Sequence, residues 1–284
     1  MEIVTIRLRE YFSDATTVEK AIISFITQNA KNVTKMSIHK LSLETFTSPS
    51  SIIRLCKKMG FDGYKGFIKA LVYEIAVKEN YKTKEISDIS KADNTEEIIH
   101  KVTSRNIIAL EETSDLLSAE AVDECVKRIE QCDKLAFFGI GASLIVAKDA
   151  QLKFTRINKM AYVSEDWHTQ LLLAKNMNKN DLAIVISYSG QTEEMIICQK
   201  AAIEAGASTI SITKYADSPI AKAAELNLYI SSNEYAFRSG AMSSRISQLN
   251  LIDIIYTTYV NRKFEQTIEI LEKTQFRKVR NKDD

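Results

Sequence analysis

The sequence predicts two folded units: an all-α bundle over residues 1–80, and an α/β domain over residues 95–262 with a five-stranded parallel sheet between helices. Three observations predict this. Residues 17–80 carry apolar side chains at helical spacing, broken by short polar turns. From Leu135 onward, short apolar runs alternate with helical stretches, the pattern of a parallel sheet covered on both faces. With 284 residues, 8 glycines and 2 prolines, the chain has room for two helix-rich domains with short connections.

In the first unit, residues 17–30 read as a helix that Thr17 could cap, with Val18, Ile22, Phe25 and Ile26 on one face. Lys35 to Thr45 is a shorter helix. A third begins at Ser48-Pro49, a favoured cap followed by a favoured first helical residue, and runs to Met59 before Gly60. Tyr64 to Glu79 is the fourth. The second and third form a helix-turn-helix pattern, whose outer face would offer Ser48, Ser50, Ser51, Arg54, Lys57 and Lys58 to DNA. A three-helix bundle without a nucleic-acid partner would read much the same. Charge adds to the DNA reading. Residues 1–80 hold twelve Lys/Arg against eight Asp/Glu, net +4, while the whole chain is +1 and the remainder therefore −3.

Residues 81–94 are polar and of mixed charge, and read as a linker too polar to act as a rigid arm. A signal would then pass between the units through a dimer of the second domain. Thr95 is expected to cap a long helix, with Glu96 and Glu97 in its first turn. Ala119 to Gln131 is the next helix. Strands follow at Leu135–Gly139, Ala161–Ser164, Leu182–Ser187, Ser208–Thr213 and Leu226–Ser231, with helices between them and a final helix from Ala241 to Arg262. Residues 263–284 read as a polar tail.

The most informative stretch is Ala183 to Thr192. An apolar, β-branched run reads as a strand buried on both faces, and Ser187, Ser189 and Thr192 then crowd around Gly190 where a helix begins. Unpaired helix N–H groups and neutral hydroxyl donors make an anion site, although an ordinary serine-capped turn would look similar. Lys134 to Ser143 repeats the arrangement as a strand entering Gly139-Ile140-Gly141-Ala142-Ser143.

Together the two turns resemble those of the sugar isomerase (SIS) domain. The stretches Ile212–Ala221 and Phe237–Arg245 resemble SIS domains of RpiR/MurR-type transcriptional regulators. Ser48 to Tyr64 resembles the recognition helix and following turn of that family's N-terminal domain. The resemblance implies a sugar phosphate held by Ser143, Ser187, Ser189 and Thr192. Gly141, Gly190 and Gln191 of the same turns, and His168 one turn into its helix, are the further candidates for contact with it. It also implies operator DNA and the sugar phosphate as partners, and a homodimer or homotetramer. One departure stands out. Where the family places a small residue, often Gly, before the recognition helix, this chain has Phe46, which takes positive φ only under strain.

An SIS enzyme, an isomerase or lyase acting on a phosphosugar, is the alternative. Glu165, Asp166, His168, Glu193 and Glu234 are its available acid–base groups, but most sit at helix starts, where acids are favoured anyway. The fused helix-turn-helix favours a regulator without enzymatic activity. A sensor that has lost DNA binding also fits the Phe46 turn. Ser189-Gly190 lacks the flanking glycines of a nucleophile elbow. No cofactor or metal is expected: His39, His100 and His168 are scattered, and Cys56, Cys125, Cys132 and Cys198 lack ligand spacing. With no apolar run long enough for a membrane span and no signal peptide, the expected location is the cytoplasm.

Overall fold

The computed structural model describes residues 4–80, 89–232 and 241–274. Within these it has the expected two parts, a helical N-terminal unit and an α/β domain with a five-stranded sheet.

The helical unit contains α1 (Val4–Tyr11), α2 (Thr17–Gln28), the single turn α3 (Ala30–Val33), α4 (Ile38–Glu44), α5 (Pro49–Lys58) and α6 (Tyr64–Asn80). Thr16 caps α2 in a reciprocal capping box with Glu19, one residue before the expected cap. Ser37 and Ser48 cap α4 and α5, so α4 starts three residues later than its apolar pattern implies. Ile22, Ile23, Ile26, Leu41, Ile52, Leu55, Met59, Phe67 and Leu71 build one core. Val4, Leu8 and Tyr11 of α1, a helix the sequence pattern did not reveal, complete it.

The second domain opens with α7 (Thr95–Leu116), capped by Asn94 rather than Thr95, and α8 (Ala119–Gln131). Then come β1 (Leu135–Phe138), α9 (Ala142–Arg156), β2 (Ala161–Tyr162), α10 (Trp167–Lys175) and β3 (Leu182–Ile186). The series ends with α11 (Glu193–Glu204), β4 (Ser208–Lys214), α12 (Pro219–Ala223), β5 (Leu226–Ile230) and α13 (Ser243–Arg262). The expected tail is corrected over its first part. Phe264–Lys273 forms α14, because Phe264, Ile268 and Leu271 recur at helical spacing and Leu271 packs on the domain core.

All strands are parallel, in the order β2-β1-β3-β4-β5. The pleat sorts side chains by parity. Leu135, Phe137, Leu182, Ile184 and Ile186 face α8, α9 and α13, while Ala136, Phe138, Ala183 and Val185 face α10 and α11. The order reverses between β1 and β3, where Phe138 lies in register with Val185. An open α/β sheet forms its ligand crevice at the carboxyl ends of the two strands at such a point.

The two units touch directly within one chain, a route between them besides the expected one through a dimer of the second domain. Arg9 pairs with Glu112 of α7, and Lys214 reaches Ser13 Oγ at 2.6 Å and Asp14 at 3.3 Å. The Arg7 guanidinium lies 5.0 Å from the Tyr215 ring centre, and Tyr215 packs against the helical core. The linker's residues 81–88 lie outside the described residues, as do Glu234, the stretch from Phe237 to Gly240, and residues 275–284.

Candidate functional site

A cavity of about 160 Å³ sits at the carboxyl ends of β1 and β3. Ile140, Ala142, Ser143, Ile186, Ser187, Tyr188, Ser189 and Thr192 line it from the two turns, and Ala241, Ser244 and Gln248 close it from the start of α13. Four hydroxyls singled out from the sequence, those of Ser143, Ser187, Ser189 and Thr192, therefore share one cavity. Ser187 and Thr192 lie 3.0 Å apart, oxygen to oxygen. The Ser189 hydroxyl accepts the Gln191 N–H at 3.2 Å.

The glycines shape the walls. Gly190 has φ +65°, and a Cβ there would fall 2.0 Å from Ser218 Oγ, so no other residue fits without moving the cap of α12. Gly141, at φ +60°, immediately precedes α9. The buried Gln170 pins the first turn from α10. It accepts the Gly139 N–H at 3.1 Å and donates to the carbonyls of Gly139, at 3.0 Å, and Ser164, at 2.9 Å.

Three helices, α9, α11 and α13, begin at this cavity, and none of their N-termini carries a side-chain cap. Among the described residues seven other helices are capped, Thr16, Ser37, Ser48, Asn94, Ser118, Asp166 and Ser218 each accepting a bond from the first turn of their helix, whereas α3 and α14, like these three, are not. Thr192 precedes α11 at the position where a hydroxyl normally caps, yet its oxygen faces Ser187 instead. The cavity thus combines the positive ends of three helix dipoles with neutral donors, and its lining holds no charged side chain among the described residues.

Other predicted residues lie elsewhere. His168 is exposed on α10 with its ring stacked on Trp167 at 4.2 Å, and it is not among the lining residues. Gln191 turns outward, its amide 3.3 Å from Asp14 Oδ1 of the helical unit. Sequence reasoning missed Tyr188, Ser244 and Gln248. Ser244 had a signal in the Phe237–Arg245 stretch. Gln248, one helical turn further along α13, had none, and it donates to Ser143 Oγ at 3.3 Å.

Tyr188 links this site to the helical unit, donating to Glu10 Oε2 at 3.0 Å, while Glu10 Oε1 accepts from Ser231 Oγ at 3.2 Å and from the Ser232 N–H at 3.4 Å. Burial pushes the Glu10 carboxyl above its ordinary pKa, although Arg9 and the Tyr188 hydrogen bond work the other way.

The helix-turn-helix is α4, the turn Thr45–Ser48, and α5. Ser50, Arg54 and Lys57 are exposed on α5. Ser48 and Ser51 bond each other at 3.0 Å, and Arg54 reaches Ser51 Oγ at 3.4 Å. Lys58 is engaged differently. Its ammonium donates to Glu19 Oε1 at 2.7 Å and to Tyr11 Oη at 3.0 Å. These bonds raise the Lys58 pKa. The turn keeps its left-handed geometry, with Phe46 at φ +53°, so the aromatic side chain is accommodated by strain rather than by a different turn.

The helix-turn-helix domain of the rpiR family matches residues 3–78, and the SIS domain matches residues 128–258. An HTH-type transcriptional regulator of Caldanaerobacter subterraneus subsp. tengcongensis is 39% identical over 279 residues, covering 96% of this chain and 98% of its own. The chain belongs to the RpiR family of transcriptional regulators. The HTH-type regulator YbbH of Bacillus subtilis is 31% identical over 260 residues, 90% of each chain. Among solved structures, Vibrio vulnificus NanR complexed with ManNAc-6P is similar across 96% of both chains, at 25% identity and TM-score 0.59. The sugar isomerase domain of a Sphaerobacter thermophilus RpiR transcription factor shares the fold, with TM-score 0.57 over 62% of this RpiR-family chain and 97% of its own, at 20% identity. Among the described residues no helix is long and apolar enough to cross a membrane.

Proposed function

We propose that this RpiR-family regulator binds a phosphorylated sugar in the cavity between β1 and β3, and that occupancy changes its affinity for operator DNA. One observation carries the reading: three uncapped helix N-termini meet around a cavity rich in neutral hydroxyls. A phosphate dianion supplies acceptors for the unpaired helix N–H groups and the hydroxyl donors of such a site. The NanR complex supports a sugar phosphate as the ligand class, since that relative's structure contains one. The described lining offers no carboxylate, imidazole or amine to move a proton between carbons, which favours a sensor over an isomerase.

The signal has a short route. The turn that holds the phosphate also carries Tyr188 and Gln191, bonded to Glu10 and Asp14 of the helical unit. A dianion arriving beside these carboxylates weakens the docking of α1 and alters the freedom of α5 to seat on DNA. The regulator acts in the cytoplasm as a homodimer or homotetramer. Ile145 and Leu152, 53% and 70% exposed and seven residues apart on α9, offer an apolar stripe for a second copy.

The test is thermal shift with a panel of sugar phosphates and their dephosphorylated sugars, then fluorescence anisotropy of operator DNA with and without the hit. Stabilisation by a phosphorylated member alone, together with changed operator affinity, is expected. Equal operator affinity in both series would sink the regulator reading, and turnover of the hit followed by NMR would replace it with the enzyme.

A further inference from the structure

We infer that Phe46 is a DNA-contacting residue that reads the methyl group of a thymine at the edge of the recognition-helix footprint. The inference rests on the DNA-binding reading of α4 and α5.

Phe46 is 97% exposed, so its ring does almost no packing for the fold. Its backbone nevertheless sits at φ +53°, a conformation that Gly adopts freely and a bulky side chain only under strain. The turn around it is over-determined. The Thr47 N–H donates to the Ser42 carbonyl at 3.0 Å, and Ser42 Oγ donates back to the Thr47 carbonyl at 2.6 Å. Thr45 Oγ1 donates to the Leu41 carbonyl at 2.8 Å, and its oxygen lies 2.8 Å from Thr47 Oγ1. These bonds fix the turn and drive the ring outward. Strain held by its surroundings, at a residue that contributes nothing to the core, is characteristic of a functional position.

The surroundings point to DNA as the occupant. Phe46 lies two residues before Ser48, the cap of α5, whose N-terminal end is the part of a helix-turn-helix that approaches the bases. Ser50, Arg54 and Lys57 are exposed on that helix, and the nearest carboxylate along the chain, Glu44, is paired with Lys40 at 2.7 Å. A phenyl ring has no hydrogen bond to offer a base edge. The contact left to it in the major groove is apolar, and thymine alone presents a methyl there.

The test selects bound sequences from a random duplex library with the full-length protein, then compares wild type with Phe46→Gly. The variant is expected to melt at or above wild type, because Gly relieves the strained φ. It should bind the selected duplex about three- to tenfold more weakly and tolerate any base where wild type requires thymine. Deoxyuridine in place of that thymine, which removes only the methyl, should weaken wild type to the level of the variant and leave the variant unchanged. If both proteins bind alike, or no deoxyuridine substitution matters, Phe46 does not read a methyl. Loss of affinity accompanied by a smaller particle in light scattering would make Phe46 a contact with a second copy and overturn the proposal. If wild type selects no sequence at all, the DNA-binding reading falls first.

Discussion

The Tyr188 phenol donates a 3.0 Å hydrogen bond to Glu10 Oε2, joining the hydroxyl-rich turn of the α/β domain to the first helix of the helix-turn-helix unit. The residues are 178 positions apart, and Tyr188 also lines the cavity. Tyr188→Phe keeps the ring and removes the bond to a charged acceptor. It should cost about 1.5–3 kcal/mol of docking. Sugar-phosphate affinity by calorimetry should change little. The ratio of operator affinities with and without the ligand, read by anisotropy, should move toward one. An unchanged ratio would exclude this bond as the link.

The hydroxyl cluster predicts a different outcome. Ser187→Ala, Ser189→Ala and Thr192→Ala each remove one donor to a charged ligand, worth about 1.5–3 kcal/mol. Calorimetry should record a loss of roughly 10- to 150-fold in sugar-phosphate affinity per substitution, with near-wild-type melting of the free protein. A triple variant that binds like wild type would place the ligand elsewhere.

On the DNA face, Arg54 and Lys57 should separate by role. Arg54→Ala, if Arg54 reads a base, costs about 1–3 kcal/mol and relaxes sequence preference. Lys57→Ala, as a phosphate contact, weakens binding to every sequence and lowers its salt dependence. Anisotropy titrations on matched and scrambled duplexes at several salt concentrations distinguish them.

Lys58 instead contributes to the fold through Glu19. Burial alone would raise the Glu19 carboxyl, but hydrogen bonds from Lys58 and Thr16 outweigh it and hold the pKa at about 2. A lowered folded value means that this stability is present above the ordinary 4.5 and is lost as pH falls toward about 2. For a half-exposed pair worth about 1 kcal/mol, Glu19→Gln should lower the melting temperature by roughly 2–4 °C at pH 7. The gap should close near pH 2. An equal gap at both pH values would assign the loss to packing.

Much of this protein is legible locally. Parity along Leu182–Ile186, the glycines at 141 and 190, and Ser48-Pro49 before α5 each act within a few residues, so strands, turns and helix starts follow from the chain alone. The hydroxyls of the cavity were legible for the same reason: Ser187, Ser189 and Thr192 share one turn. Gln248 was not, because it reaches Ser143 only after the sheet and α13 have packed. Nor was α1. Val4, Ile6, Leu8 and Glu10 are buried at alternate positions, which mimics a strand. That pattern arises because α1 is covered on one side by the helical core and contacts the α/β domain on the other, so two surfaces distant in sequence decide its burial. Local sequence sufficed for the strands of the sheet, most helices and the hydroxyl-rich turn after β3. Only the tertiary structure decided that the turn would touch the DNA-binding unit, because a hydrogen bond between residues 10 and 188 depends on packing that no local pattern encodes.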